Sequence, residues 1–226
     1  MVKLLKELDP NKASSPDKIP CRVLKELAVE LASVVTALFA KLWNVAFSRD
    51  WTEAIISPIH KNGNAHLASN YRLVSVTCVL SKLMVHIICK HILNHLAAHN
   101  ILTRFQHGFR KAHSCESQLL LTVNDLICSY DHKIQTDTAV LDFSCAFDAV
   151  PHERLLSKLD HYGIRRHIND WIRLFLCDRQ MWVAVDGETS SKCRVDSRSA
   201  TRDSPQPLLF LPALLTSCLR RKYQCK

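Results

Sequence analysis

Two aspartates in the stretch Ala139–Leu156 are the residues of this sequence best suited to do chemistry. Three apolar residues run into Asp142, and Asp148 follows six positions later, after an intervening turn. A carboxylate at the end of a buried apolar strand is costly unless a cation or hydrogen-bond donors lie beside it, which makes Asp142 the best functional candidate. The alternative is structural: Asp142 would end a strand and Asp148 would cap the next helix. On this stretch alone, both interpretations stay open.

Cations and aromatic residues upstream indicate a second kind of chemistry, the binding of phosphates. Lys61 and Arg72 each stand beside a short extended element and could project onto phosphate groups, although each is also an ordinary surface cation. A denser basic loop interleaves cations with phenylalanines, and this mixture suits a sugar–phosphate backbone. The residues of that loop are Arg104, Phe105, Gln106, Phe109, Arg110, Lys111 and His113.

Three histidines, His91, His95 and His99, are spaced four residues apart and therefore lie on one face of a predicted helix. Histidines at positions i and i+4 can share a zinc ion. No cysteine or acid nearby in the sequence completes a set of three or four ligands. A polar helix face is therefore the favoured interpretation.

The composition is that of a basic globular chain. Its 226 residues are 47% hydrophobic, enough to bury the core of one domain or of two small subdomains. Thirty Lys and Arg residues against 21 Asp and Glu give a net charge of +9, which suits a polyanionic partner, although a merely basic soluble protein has such a charge too. The charge is spread along the chain and not gathered in one tail, which indicates a charged surface.

The cysteines and the apolar runs predict an intracellular protein, in the nucleus, the cytoplasm or both. No signal peptide precedes the ten cysteines and no CxxC pair occurs. Cys78, Cys89, Cys128 and Cys177 are therefore predicted to be small buried side chains in a reducing compartment. The longest late apolar run, Leu208–Leu219, is too short to span a bilayer, and we expect no membrane partner.

Periodicity and turn signals predict an α+β fold, with helices dominating the first half and strands gathered around and after Asp142. Helices are predicted over Cys21–Phe47, Leu80–Asn100, Cys115–Tyr130, Pro151–His161 and Ile168–Cys177, and a loop over Thr103–Ser114. Extended segments are predicted over Ala54–His60, Tyr71–Val76 and Thr138–Phe143, and a hairpin over Gln180–Asp186 and Lys192–Asp196 around Asp186-Gly187.

Five short motifs follow one another along the sequence. They are Asn70-Tyr71-Arg72, Val79–Lys82, Gln106–Lys111, Leu141–Asp148 and Val150–Leu155. In this order and spacing the sequence resembles the reverse transcriptase domain of non-LTR (LINE, jockey-like) retrotransposons, over nearly all of Leu4–Val195. The resemblance implies a right-hand polymerase type of α+β fold, with mainly helical fingers, an incomplete palm and no thumb. It divides the chain into an N-terminal loop and short helix (1–20), fingers (21–135), a partial palm (136–196) and a degenerate tail (197–226).

The resemblance also implies a role for each candidate residue. Asp142 would be the first catalytic aspartate and would hold Mg²⁺ with help from the Phe143 carbonyl, while Phe147 would exclude a ribose 2′-OH. Lys61 and Arg72 would grip the triphosphate of the incoming dNTP. The residues that would contact the RNA template, beside a DNA primer, are Gln106, Gly108, Phe109, Arg110 and Lys111. These roles fit the chemistry, since polymerisation needs metal ions at the α-phosphate and cations that neutralise the leaving pyrophosphate.

Several positions depart from the family pattern and predict an inactive copy. Leu73 and Cys145 replace a usual proline and lysine, and Arg198 and Arg202 replace loop glycines for which arginine is a costly substitute. The sequence contains no Asp-Asp dipeptide, so a single carboxylate would have to hold the metal ions. We therefore expect a catalytically inactive RNA-directed DNA polymerase, truncated before its Asp-Asp motif and thumb. The alternatives are an RNA- or DNA-binding remnant without catalysis and a decayed mobile-element copy with no function.

Overall fold

The computed structural model of this chain describes residues 1–12, 16–44, 48–140 and 150–194. The predicted catalytic residues Asp142, Phe143 and Phe147 lie outside the described residues, as do Asp148 and everything after Arg194. Within the described residues the chain contains seven α-helices, one five-stranded sheet and two short 3₁₀ turns. The expected mixture of helices and sheet is confirmed.

Most of the predicted elements are present, with small shifts of their ends. The helices are α1 (Val2–Lys6), α2 (Cys21–Glu26), α3 (Ala28–Asn44), α4 (Val79–Ala98), α5 (Cys115–Asp131), α6 (His152–His161) and α7 (His167–Leu176). The strands are β1 (Glu53–His60), β2 (Tyr71–Thr77), β3 (Gln180–Val185), β4 (Glu188–Thr189) and β5 (Cys193–Arg194), and 3₁₀ turns at Arg49–Trp51 and Ala68–Asn70 precede β1 and β2. In the described ranges, no helix is both long enough and apolar enough to cross a membrane.

The sheet is built on β1. β2 pairs with it antiparallel, from Ala54 opposite Thr77 to His60 opposite Tyr71. β3 pairs with the first half of β1 in parallel, and β4 and β5 both pair with β3. Ala54 and Ile56 of β1 are buried while their neighbours are more exposed, so one face of the sheet covers the core.

The predicted hairpin around Asp186-Gly187 is present, and its turn residues explain why. Asp186 and Gly187 have positive φ angles of 49° and 88°, as a two-residue turn of type I′ requires. The strand predicted to return over Lys192–Asp196 is shorter than expected within the described residues. β4 pairs with β3 directly after the turn, and Cys193–Arg194 pairs with the start of β3.

One cluster of buried apolar side chains joins the described helices except α5, and α4 runs through it. Ten of the twenty residues of α4 are buried, and Val85, Ile92 and Leu96 are at most 1% exposed. α6 contributes Leu155 and Leu159, which are completely buried. Burial of each such side chain stabilises the fold by roughly 1.5–3 kcal/mol. α4 is therefore fixed from its inner side, and the positions of its outer side chains are fixed with it.

The single helix predicted over Cys21–Phe47 is wrong, because two helices meet at Leu27. Leu27 has φ −94° and ψ 28°, outside the helical range, and its side chain is 45% exposed. Leu24 before the break and Ala28 after it are both buried in the same core. The apolar pattern therefore continues across the break, so periodicity predicts helix without indicating the interruption. Residues 45–47 lie outside the described residues.

The strand predicted over Thr138–Phe143 is not formed in its described part. Thr138, Ala139 and Val140 belong to no strand, and the Val140 side chain is 90% exposed. An extended segment becomes a strand only where a neighbour pairs its backbone N–H and C=O groups, and no described strand lies beside this one. The rest of the predicted strand, with Asp142, lies outside the described residues.

The prediction of four buried cysteines is right for two of them. Cys78 and Cys89 are buried, and burial raises the pKa of each thiol to about 12. Cys128 and Cys177 are exposed. Cys128 lies on α5, which buries none of its residues within the described part of the chain, and Cys177 follows the last residue of α7. Residue type alone does not show which helix faces are covered.

Candidate nucleic-acid interface

The β1–β2 hairpin brings Lys61 and Arg72 to one end of the sheet. Arg72 pairs with Ile59, and the backbone N–H of Lys61 donates to the carbonyl of Asn70 at 2.9 Å, which continues the ladder beyond β1. Lys61 and Arg72 are therefore diagonal neighbours across the two strands, within reach of one anionic group. Both side chains are exposed. The structure thus brings together the two residues predicted to bind a triphosphate.

Side chains fix the turn between these two strands. The Asn70 Nδ2 donates to the carbonyl of Asn64 at 2.9 Å, and the Tyr71 hydroxyl donates to that of Ala65 at 2.8 Å. Gly63 has a φ of 79°, and a Cβ atom there would lie 2.8 Å from Asn70 Nδ2. Glycine is the residue that meets both conditions without strain. The tip of the hairpin is therefore a preorganised support for its two cations.

Side chains of the loop Thr103–Ser114 also hold that loop in shape. Gln106 is buried, and its Nε2 donates to the carbonyl of Gly108 at 3.1 Å. The Arg110 guanidinium donates through Nη1 to the Thr103 carbonyl at 2.7 Å and to the Gln106 carbonyl at 3.3 Å. Gln106 and Arg110, both predicted to contact a template, thus build the loop that carries the other predicted contacts.

Three of the predicted template contacts, Gly108, Phe109 and Lys111, are exposed, as are Arg104, Phe105, Ala112 and Ser114 of the same loop. Phe109 is 52% exposed and has a φ of 58°, a left-handed conformation that is uncommon for a residue other than glycine. Such backbone strain costs on the order of 1–3 kcal/mol and clusters at functional sites. Nearby, the Arg104 guanidinium lies 4.7 Å from the centroid of the Phe105 ring. Cations and half-exposed aromatic rings therefore alternate on this surface, as the sequence predicts.

His107 ties the loop to the start of α5. Its Nδ1 lies 2.6 Å from the Ser117 hydroxyl oxygen, and Ser117 forms a capping box with Ser114 at the first turn of the helix. The His107 ring also packs edge-on against His113, with centroids 4.8 Å apart. His107 thus connects the loop to the first turn of α5, and Arg110 connects two parts of the loop to each other.

A groove lies between the outer face of α4 and this loop, with a volume of about 440 Å³. Its polar and aromatic walls are His86, Lys90 and Asn94 from α4, and Phe109, Arg110 and Lys111 from the loop. Sequence reasoning identified the loop side of the groove and missed the α4 side. Helical periodicity marks His86, Lys90 and Asn94 only as outward-facing, and their position opposite the loop depends on the tertiary fold.

The distribution of charge held the signal that was missed. Residues 54–115 form 62 consecutive positions without an Asp or a Glu, and they contain seven Lys and Arg residues and eight of the twelve histidines. The segment that forms most of β1, all of β2, α4 and the loop thus carries a net charge of +7, against +9 for the whole chain. Residues 197–226 carry a further net charge of +5, from six Lys and Arg residues against one Asp, so the positive charge is concentrated in two parts of the chain and not in one tail alone. Where this segment is exposed, it adds positive charge and no carboxylate to the surface, which favours a polyanionic partner.

The sequence model of one protein family, described as reverse transcriptase (RNA-dependent DNA polymerase), matches residues 59–202, well over half of the chain. The chain belongs to this family. The match includes every residue for which the sequence predicts a role in binding or catalysis, from Lys61 to Phe147.

Two relatives from Drosophila melanogaster agree with this assignment. The probable RNA-directed DNA polymerase from transposon BS is 28% identical over 193 residues, which cover 82% of this chain and 20% of the relative. The probable RNA-directed DNA polymerase from transposon X-element is 32% identical over 151 residues, which cover 66% of this chain and 17% of the relative. This reverse transcriptase family member thus spans a fifth or less of the length of the curated relatives that it matches. The predicted resemblance to a non-LTR retrotransposon reverse transcriptase domain is confirmed.

Two of the three histidines predicted to share a face of α4 contact backbone carbonyls in this reverse transcriptase segment. His95 Nε2 lies 2.8 Å from the Tyr162 carbonyl oxygen, and His99 Nδ1 lies 2.9 Å from that of His95. In residues 1–12, 16–44, 48–140 and 150–194, no group of three or more His, Cys, Asp or Glu side chains could hold a metal ion. The roles of Asp142, Phe143 and Phe147 stay predictions, because those residues lie outside the described ranges.

Proposed function

We propose that this chain is the template- and nucleotide-binding part of an RNA-directed DNA polymerase of the right-hand type. In this proposal residues 21–135 form the fingers and residues 136–196 form part of the palm, with 1–20 as an N-terminal extension and 197–226 as a tail. The observation that carries the proposal is the acid-free segment 54–115, which presents the Lys61–Arg72 pair and the basic loop. Template, primer and dNTP are all polyanions, so one surface of this charge would attract each of them.

The reaction would be the in-line transfer of a nucleotide, in which a primer 3′-hydroxyl attacks the α-phosphate of a dNTP and pyrophosphate leaves. Negative charge grows on the leaving phosphates as the bond breaks. Lys61 and Arg72 would stabilise that charge from the hairpin tip, because fixed cations require no reorganisation at the moment of reaction. The template would lie against the loop, where Phe109 and Lys111 face solvent and Arg110 maintains the backbone conformation.

Members of this family use divalent metal ions. Asp142 and the Phe143 carbonyl are the groups of this chain that would hold such an ion, and hard oxygen ligands of this kind suit Mg²⁺. A bound divalent ion would polarise the α-phosphate and lower the pKa of the attacking hydroxyl. These oxygen donors are of the type that binds one Mg²⁺ ion. A two-metal site requires more carboxylate ligands than Asp142 alone provides.

We propose further that the 226-residue polypeptide binds nucleic acid without extending a primer. It contains Asp142 but no adjacent pair of aspartates that would complete a two-metal site. A single carboxylate leaves most of the charge of two divalent cations uncompensated. Phe147 would still form an aromatic wall against a ribose 2′-OH, so nucleotide selection and catalysis would be separable properties of this chain.

Primer extension tests the second proposal. The polypeptide is incubated with an RNA template, an annealed DNA primer, dNTPs and Mg²⁺ or Mn²⁺, and the products are separated on a sequencing gel. We expect no extended product. Extension that disappears in Asp142→Asn and persists in the control Asp137→Asn would show a working site and refute the proposed inactivity.

Nucleotide binding tests the first proposal independently of catalysis. Photo-crosslinking of a labelled dNTP analogue should fall strongly in the double variant Lys61→Gln/Arg72→Gln. The matched control, Lys41→Gln/Arg22→Gln, removes two exposed cations from α3 and α2 and should leave crosslinking unchanged. Equal crosslinking in all three proteins would contradict the assignment of the hairpin tip to the triphosphate.

A further inference from the structure

We infer that the groove between α4 and the loop Thr103–Ser114 binds the phosphodiester backbone of a single-stranded nucleic acid, with Lys90 of α4 as a ligand opposite Lys111. The inference rests on the proposed function and extends it to a helix that no sequence motif assigns to binding. The groove would contact phosphates from two sides, so it would hold the strand between two walls and not on one open surface.

The α4 wall presents a regular row of polar groups on a rigid support. His86, Lys90 and Asn94 follow one another at intervals of four residues, which places them one above the other on the same helix face. The opposite face of α4 is buried in the main core through Val85 and Ile92. Because that core fixes the helix, the row keeps its position when a ligand binds, and little ordering entropy of the backbone is lost.

The loop wall supplies a second cation and an aromatic face. Lys111 is exposed at the groove, and Arg110 beside it is held by its hydrogen bonds to two loop carbonyls. Phe109 lines the same groove with about half of its side chain exposed. An exposed aromatic ring next to cations is the combination on which unstacked bases stack while the backbone follows the charges.

The segment that forms the groove, residues 54–115, carries no negatively charged side chain that would repel a phosphate. α4 and the loop contain no Asp or Glu, and the flanking acids Glu53 and Glu116 lie outside the 62-residue segment. Within the described residues, the ion pairs involve neither Lys90 nor Lys111. Both ammonium groups are therefore available to replace the counterions of a polyanion, and this release is what makes such binding depend on salt.

Fluorescence anisotropy on the 226-residue polypeptide tests the inference with a labelled 12-nucleotide RNA, the DNA of the same sequence and the corresponding duplex. Lys90→Gln should weaken binding of both single strands about fivefold at low salt and reduce the slope of log K against log salt by about 0.7, the value of one phosphate contact on a single strand. Lys90→Arg should restore both quantities. The control Lys41→Gln removes an exposed lysine of α3 and should change neither.

The outcomes separate this inference from the function on which it rests. If the polypeptide binds RNA with a steep salt dependence and Lys90→Gln matches Lys41→Gln, the groove is refuted while nucleic-acid binding stands. If the duplex binds as tightly as the single strands and loses as much affinity in Lys90→Gln, the single-strand assignment is refuted. If the wild-type polypeptide binds none of the three probes, both proposals are refuted. Circular dichroism of each variant verifies that the helices are intact.

Discussion

Arg110→Lys is the substitution that best separates the shape of the basic loop from its charge. The variant keeps the positive charge but removes the planar guanidinium that bonds to two loop carbonyls. A hydrogen bond to a charged group stabilises a protein by roughly 1.5–3 kcal/mol, and here one bond is short while the other is long. We therefore expect the loop to lose about 2 kcal/mol of stability against local opening. That loss corresponds to roughly a 30-fold rise in the opening equilibrium.

Amide hydrogen exchange measures this opening directly. Amides of the loop Thr103–Ser114 should exchange roughly 30-fold faster in Arg110→Lys, while amides of the buried face of α4 should be unaffected. The matched control is Arg104→Lys in the same loop, because the Arg104 guanidinium lies over the Phe105 ring and its loss leaves the loop carbonyls bonded. Unchanged exchange in Arg110→Lys, or equal acceleration in both variants, would refute the role assigned to Arg110.

Three further substitutions test the fold that supports this surface. Gly63→Ala should destabilise the protein by about 1–2 kcal/mol, since it combines a positive φ with a contact on Asn70, whereas Gly108→Ala meets open space and should be nearly neutral in urea unfolding. Leu159→Ala should cost roughly 2–5 kcal/mol, against less than about 0.5 kcal/mol for the exposed Leu120→Ala, as measured in the same assay. The pKa of His152 lies below its usual 6.5 because of burial and the nearby Arg179 charge, so the unfolded chain binds the proton more readily. Stability should thus fall as the pH drops below about 6.5, and His152→Gln should flatten that part of the Tm profile between pH 7.5 and 5.5.

Local patterns were sufficient for the elements that carry the basic surface. The apolar periodicity of α4 and the polar loop before α5 both reflect short-range chemistry, and both predicted elements are present. The order of the motifs was likewise sufficient to identify the family, because the motif residues of this sequence can be compared with those of the family without knowledge of the fold. Lys61 and Arg72 were predicted from the sequence as phosphate ligands, and their diagonal placement across the hairpin follows from the register of β1 and β2.

Features that depend on distant contacts could not be predicted in this way. The parallel pairing of β1 with β3 joins Glu53 to Gln180, and no local signal records it. The break at Leu27 cannot be recognised from the sequence, because both helices bury residues in one core and the apolar pattern continues across the break. Lys90 becomes a candidate phosphate ligand only when the fold places it opposite the loop. The absence of acids from residues 54–115, by contrast, was visible in the sequence itself.

The salt dependence of RNA binding is the most direct test of the central claim, that the acid-free segment is a nucleic-acid interface. Three to five phosphate contacts from its seven Lys and Arg residues predict a slope of about −2 to −3.5 for single-stranded RNA, that is, an affinity roughly 20- to 130-fold lower at 200 mM than at 50 mM salt. We expect this linear decline, and we expect charge reversal in Lys90→Glu/Lys111→Glu to make the slope shallower. Binding that is absent or insensitive to salt in this range would show that the segment is not a nucleic-acid interface.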